Sequence, residues 1–153
     1  MTGVEGCLAC DLAAGRIDLP GGRVHETDHW SVEHCVGPLG VGTLIVKPKR
    51  HVVHVWELNG GETHELGALL REASSVVAEL TAPDQVYVCL WSHEGGVPVH
   101  IHFVVQPVTK AERKRFGGGA RLQATMFDAN APLPAGDVEK FAAQARACFQ
   151  ERS

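Results

Sequence analysis

The sequence predicts an α+β fold built on one five-stranded sheet, and three observations carry that prediction. Five short segments rich in β-branched and aromatic residues, at 23–26, 30–35, 42–47, 85–91 and 99–106, are separated by turn signals such as Pro20-Gly21-Gly22, Gly37-Pro38, Asn59-Gly60-Gly61 and Glu94-Gly95-Gly96. Between the third and fourth, Leu66, Leu69, Leu70, Ala73, Val76, Val77 and Leu80 recur at helical spacing opposite Glu62, Glu65, Arg71, Glu72 and Glu79, so a helix lays an apolar stripe on the sheet. After Pro107 strand signals give way to helical and linker signals, which divides the chain into a domain over 1–108 and a helical extension over 109–153.

Each element has its own warrant. A short helix over 10–17 precedes the first strand. The segment 85–91 is apolar on both faces, so something must cover each side of it. In 99–106, alternation puts Val99, Ile101, Phe103 and Val105 on a core face and His100, His102, Val104 and Gln106 on the other. Thr109-Lys110-Ala111-Glu112 is a capping box that opens a short basic helix closed at Phe116-Gly117. Its Lys110, Arg113, Lys114 and Arg115 form an ordinary solvated face. A linker rich in Pro and Ala at 129–136 leads to a last amphipathic helix carrying Val138, Phe141, Ala142, Ala145, Cys148 and Phe149.

Bulk properties narrow the function classes. The 153 residues fit one domain with an appendage, and 44% hydrophobic with 21% charged residues is an ordinary globular balance. No apolar run reaches membrane-spanning length, and Met1 to Gly6 lacks the basic and hydrophobic regions of a secretory signal, so a cytoplasmic protein is expected. A net charge of −4 argues against a general nucleic-acid binder. Five cysteines, an odd number, argue against a disulfide framework; Cys35, Cys89 and Cys148 sit among apolar residues as small hydrophobes. Cys7-Leu8-Ala9-Cys10 differs, because its spacing can bring two thiolates onto one metal ion, a suggestive signal that needs further ligands. Paired imidazoles at His100 and His102 can act as nucleophile, proton carrier or metal ligand near neutral pH.

Four landmarks in order carry a family resemblance: Cys7-Leu8-Ala9-Cys10 with Ala14-Gly15-Arg16-Ile17; Val24-His25-Glu26-Thr27-Asp28; Gly42-Thr43-Leu44-Ile45-Val46-Lys47-Pro48-Lys49-Arg50-His51; and His100-Ile101-His102 closing at Pro107. Together they resemble the bacterial zinc-binding branch of the histidine triad (HIT) superfamily. The resemblance implies a HIT-like α+β fold: a five-stranded, mainly antiparallel sheet with helices on one side, plus the C-terminal extension. It also implies one structural zinc per chain held by Cys7, Cys10, His51 and His100, with His54 as the alternative to His51. Placing His100 first in the His-x-His-x-His signature aligns Pro107 with the family's proline and makes His102 the nucleophile; the other register makes His100 central.

The implied activity is hydrolysis of a nucleotide conjugate, a dinucleoside polyphosphate or nucleoside phosphoramidate, at the α-phosphate through a nucleotidyl-histidine. Leu8, Leu12 and Val36 match the family's apolar base pocket, His34 matches a histidine of some relatives, and His93 is a candidate auxiliary group. Homodimerisation is expected from the same resemblance. The chain departs from the pattern at Val104, which stands where the third histidine is expected, at Gly96 and Val97, and at Cys35, which replaces the usual ribose-binding acid. These departures keep a non-catalytic, zinc-stabilised nucleotide- or partner-binding module as the rival, with nucleotidyl transfer a third option.

Overall fold

The computed structural model describes residues 3–93, 96–129 and 131–153; Glu94 and Gly95 of the expected fourth turn, and Asn130 of the expected linker, lie outside the described residues. Strands β1 (Arg23–Glu26), β2 (Trp30–His34), β3 (Leu44–Pro48), β4 (Gln85–Leu90) and β5 (Phe103–Val108) form one sheet in the order β1-β2-β3-β5-β4. Every neighbouring pair is antiparallel. The α+β fold expected from the sequence is the fold observed.

Side-chain alternation assigns the two faces. On one, Trp30, Val32, Leu44, Val46 and Val105 meet Leu69, Ala73, Val76 and Val77 of helix α2 (Gly60–Thr81) and Phe141, Ala142, Ala145 and Phe149 of helix α5 (Ala135–Arg152). Asn59 and Glu62 cap α2 reciprocally, each side chain accepting from the other's backbone N–H at 2.9 and 2.8 Å. On the other face, helix α4 (Ala120–Ala129) sets Leu122 and Met126 over Val104, Val108, Cys35 and Leu39. The extension therefore serves both faces: α5 joins α2 in the main core, while helix α3 (Lys110–Phe116) carries the chain round to α4. Gly21, at φ +80°, lets α5 approach β1, since a Cβ there would run into the Ala142 methyl.

Three sequence expectations are corrected. The N-terminal helix α1 is Leu8–Ala13, not 10–17, so it starts directly after Cys7. The last strand begins at Phe103 rather than at 99, because the ladder stops where Pro48, with no N–H to give, ends β3. His100 and His102 consequently lie on the extended approach to β5, held by a bond from the Ile101 N–H to the Val52 carbonyl at 2.9 Å. Helix α4 was not expected; its core stripe is only Leu122 and Met126, too sparse to register as periodicity.

Candidate functional site

Cys7 stands at the N-cap of α1 and Cys10 in its first turn, while His51 follows β3 and His100 precedes β5. Their four ligand atoms lie within 4.8 Å of one another. Cys7 Sγ is 3.6 Å and Cys10 Sγ 3.5 Å from His100 Nδ1, and Cys10 Sγ is 3.5 Å from His51 Nδ1. A tetrahedral zinc with sulfur at about 2.3 Å and nitrogen at about 2.05 Å separates the two ligand types by about 3.6 Å. These three separations thus match sulfur–nitrogen edges of a zinc tetrahedron.

His100 is oriented for this task. Its Nε2–H donates to the Pro48 carbonyl at 2.9 Å, which leaves the Nδ1 lone pair aimed at the thiols. Burial pushes the His100 pKa down to about 4, partly opposed by that bond and reinforced by His51, Lys47 and His102. Burial likewise pushes the Cys7 thiol up, with Cys10 beside it contributing in the same direction through its side chain. A divalent cation reverses that balance at the sulfurs by favouring thiolate. Two sulfurs and two neutral imidazoles close a structural metal site, and Cys7, Cys10, His51 and His100 are positioned to bind one metal ion. His54 is exposed and stacks on Trp56, ring centroids 4.3 Å apart, away from the quartet.

Next to the quartet is a cavity of about 330 Å³ roofed by α1 and floored by the sheet. His102 is on its wall. The Nδ1–H of His102 donates to the His100 carbonyl at 3.0 Å, which leaves Nε2 with a free lone pair. Leu8, Leu12 and Val36 also line the cavity. Val104, in the third histidine's place, is only 5% exposed and packs against Leu122 and Met126 of α4. Cys35 lines the cavity too; burial pushes its thiol up to about 11, and it supplies no charge there.

Two candidates fall elsewhere. His34 is corrected from a nucleotide contact to a core residue: it shares the Trp30 and Val32 face, donates from Nδ1 to the Cys35 carbonyl and accepts from the Gly42 N–H, both at 2.8 Å. His93 is exposed and does not line the cavity. Conversely, the sequence reading missed Glu33, Lys47, Trp91 and Phe127, which do line it. The sequence held a signal for one of them, because Lys47 is a charge on an otherwise apolar strand.

No family model and no curated protein matches the sequence. Solved structures do match. A hypothetical histidine triad nucleotide-binding protein from Sulfolobus tokodaii strain7 is 16% identical, with a TM-score of 0.72 over 95% of this chain and 93% of that one. A zinc-bound histidine triad family protein from Mycobacterium smegmatis is 15% identical, with a TM-score of 0.71 over 99% and 100% of the two chains. A HIT-like protein involved in cell-cycle regulation from Bartonella henselae is 16% identical, with a TM-score of 0.70 over 96% and 99%. An architecture shared over nearly the full length of three histidine triad proteins identifies the fold of this chain as the histidine triad fold.

Proposed function

We propose that the chain binds a nucleotide conjugate, of the dinucleoside polyphosphate or nucleoside phosphoramidate type, in this cavity and hydrolyses it at the α-phosphate. The observation that carries the reading is the His102 imidazole, tethered through Nδ1 at 3.0 Å on the wall of a cavity of about 330 Å³. Nε2 attacks the α-phosphorus; a P–N bond forms as the bond to the leaving group breaks, and the leaving group keeps the electron pair and takes a proton from water. Water then attacks the same phosphorus, the P–N bond breaks, and nucleoside monophosphate leaves with His102 restored. Two displacements replace one difficult one.

Leu8, Leu12 and Val36 supply an apolar wall for the base. Cys7, Cys10, His51 and His100 would hold one structural zinc per chain, which would tie α1 to the approach to β5. Two proteins of this fold support both parts of this reading, the hypothetical nucleotide-binding protein from Sulfolobus and the zinc-bound protein from Mycobacterium. We also infer a cytoplasmic homodimer. Five free cysteines fit a reducing compartment, and no helix of the described residues is long and apolar enough to cross a membrane.

The test is turnover of a phosphoramidate and dinucleoside polyphosphate panel by the parent and by His102→Ala. The variant is expected to lose several orders of magnitude in rate while keeping its zinc, and an acid-labile nucleotide adduct should be found on the parent peptide carrying His102. Turnover by His102→Ala within tenfold of the parent overturns the mechanism. One observation favours the non-catalytic module: the third triad position, Val104, has become core under α4. Tight nucleotide binding with no turnover is its signature. Nucleotidyl transfer has less support, since Gln106 is buried beneath α4, bonded to Leu39 and Gln123.

A further inference from the structure

The cavity floor holds two charges that the proposed reaction leaves without a task. Lys47 Nζ donates to Glu33 Oε1 at 2.6 Å and to the Ala9 carbonyl at 3.0 Å, and the Glu33 and Lys47 side chains are 5% and 3% exposed. Exchanging such a buried pair for apolar side chains of similar volume is often neutral or stabilising, so folding is a weak reason for its presence. Glu33 Oε2 has no hydrogen-bond partner among the described residues. No side-chain polar atom sealed in their interior lacks one, so this oxygen opens on the cavity that Glu33 lines.

We propose that Glu33, oriented by Lys47, is the specificity-determining residue of the cavity and accepts a hydrogen bond from an amino group on the edge of the ligand's nucleobase. The inference rests on the nucleotide reading above. An ionised carboxylate is an acceptor only, so the ligand group facing it must be a donor, and a keto oxygen there is repelled. Lys47 directs two of its three ammonium protons to Glu33 and the Ala9 carbonyl, which fixes the Glu33 carboxylate in place. Position agrees with chemistry. In the sheet order β3 alone separates β2 from β5, so Glu33 lies two strand spacings, about 10 Å, across from the strand that His102 leads into. That is roughly the reach of a nucleoside monophosphate from its phosphorus to the far edge of its base. His102 takes the phosphate end and Glu33 reads the base.

Calorimetry on the full, zinc-loaded chain tests this with two nucleotide pairs. AMP and purine riboside monophosphate differ by the 6-amino group, and GMP and IMP by the 2-amino group. At least one amino-bearing member is expected to bind about ten- to a hundredfold tighter than its partner, the usual range for a bond to a charged group. Glu33→Gln keeps an acceptor oxygen but loses the charge, so it should narrow that gap. Glu33→Leu combined with Lys47→Met provides a folded control without the pair, and it should bind both members equally. Equal affinities within both pairs in the parent, a gap undiminished in Glu33→Gln, or any gap that survives in the double variant overturn this inference and leave nucleotide binding standing. Failure of all four nucleotides to bind overturns both.

Discussion

His100 shows how one side chain can serve two sites. Its Nδ1 faces the thiols of Cys7 and Cys10, and its backbone carbonyl holds the Nδ1–H of His102. His100→Ala should therefore lose zinc, thermal stability and activity together, whereas His102→Ala should lose activity alone. Metal analysis beside a melting curve distinguishes the two. Cys7→Ser with Cys10→Ser should abolish stoichiometric zinc and lower the melting temperature; full zinc occupancy in that variant contradicts the quartet. His34 makes a different prediction. Burial, partly opposed by its bond to the Cys35 carbonyl, holds its pKa below the 6.5 of an exposed imidazole. The unfolded chain then binds this proton first, so stability is fully present above pH 6.5 and falls as the pH drops towards the lowered folded value. Melting temperatures of the parent and His34→Gln across that window should converge as the pH falls. Parallel curves would show that His34 contributes no such dependence.

At the scale of the element, α4 and the β1–α5 contact are the informative cases. Leu122 is fully buried and anchors a helix that has only one other core residue, Met126, on the cavity-side face. Leu122→Ala should cost about 2–5 kcal/mol, measured by denaturant unfolding. Ligand affinity should fall as well, because the same helix carries Phe127 to the cavity. Gly21→Ala meets two obstacles, a positive φ and the Ala142 methyl. A loss of about 1–3 kcal/mol is expected; an unchanged unfolding midpoint would mean that α5 shifts freely over β1. Several elements were legible locally. The capping box at Thr109 set the start of α3 and Gly117 closed it, whereas Asn59, read as a turn, also caps α2. The approach to β5 was not, because its length depends on where a different strand, β3, runs out of donors at Pro48.

For the whole molecule, the extension completes the main core. Ala142, Ala145 and Phe149 are fully buried in the core that holds Trp30 and Val32, and Phe149 stacks on His25 at 4.5 Å. The division at 108 and 109 is therefore a boundary in composition and not in the core. A chain ended at 108 should give no cooperative unfolding transition, and a sharp melt near the parent's would refute that. Homodimerisation is tested by light scattering, which should return about twice the 16.4 kDa chain mass. Strand β4 lies at the sheet edge with Val88 43% exposed, a surface a second copy can bury.

Local chemistry set much of this protein in the sequence alone. Alternation assigned the strand faces, three-four spacing placed α2, and Cys7-Leu8-Ala9-Cys10 marked half of a metal set, with His51 and His100 added only by the family resemblance. His34 was misassigned to the nucleotide, although its parity with Trp30 and Val32 turns it to the core. The Glu33–Lys47 pair was not legible, because the two charges meet only once the β2–β3 register is set, with Ser31 opposite Lys47 and Glu33 opposite Ile45. The same holds for Val104, whose neighbours Leu122 and Met126 arrive from α4. Periodicity and ligand spacing act over a few bonded residues, so they survive in one dimension. Cavity walls, ion-pair partners and core sharing depend on strand register and helix docking between distant segments, and only the tertiary structure decides those.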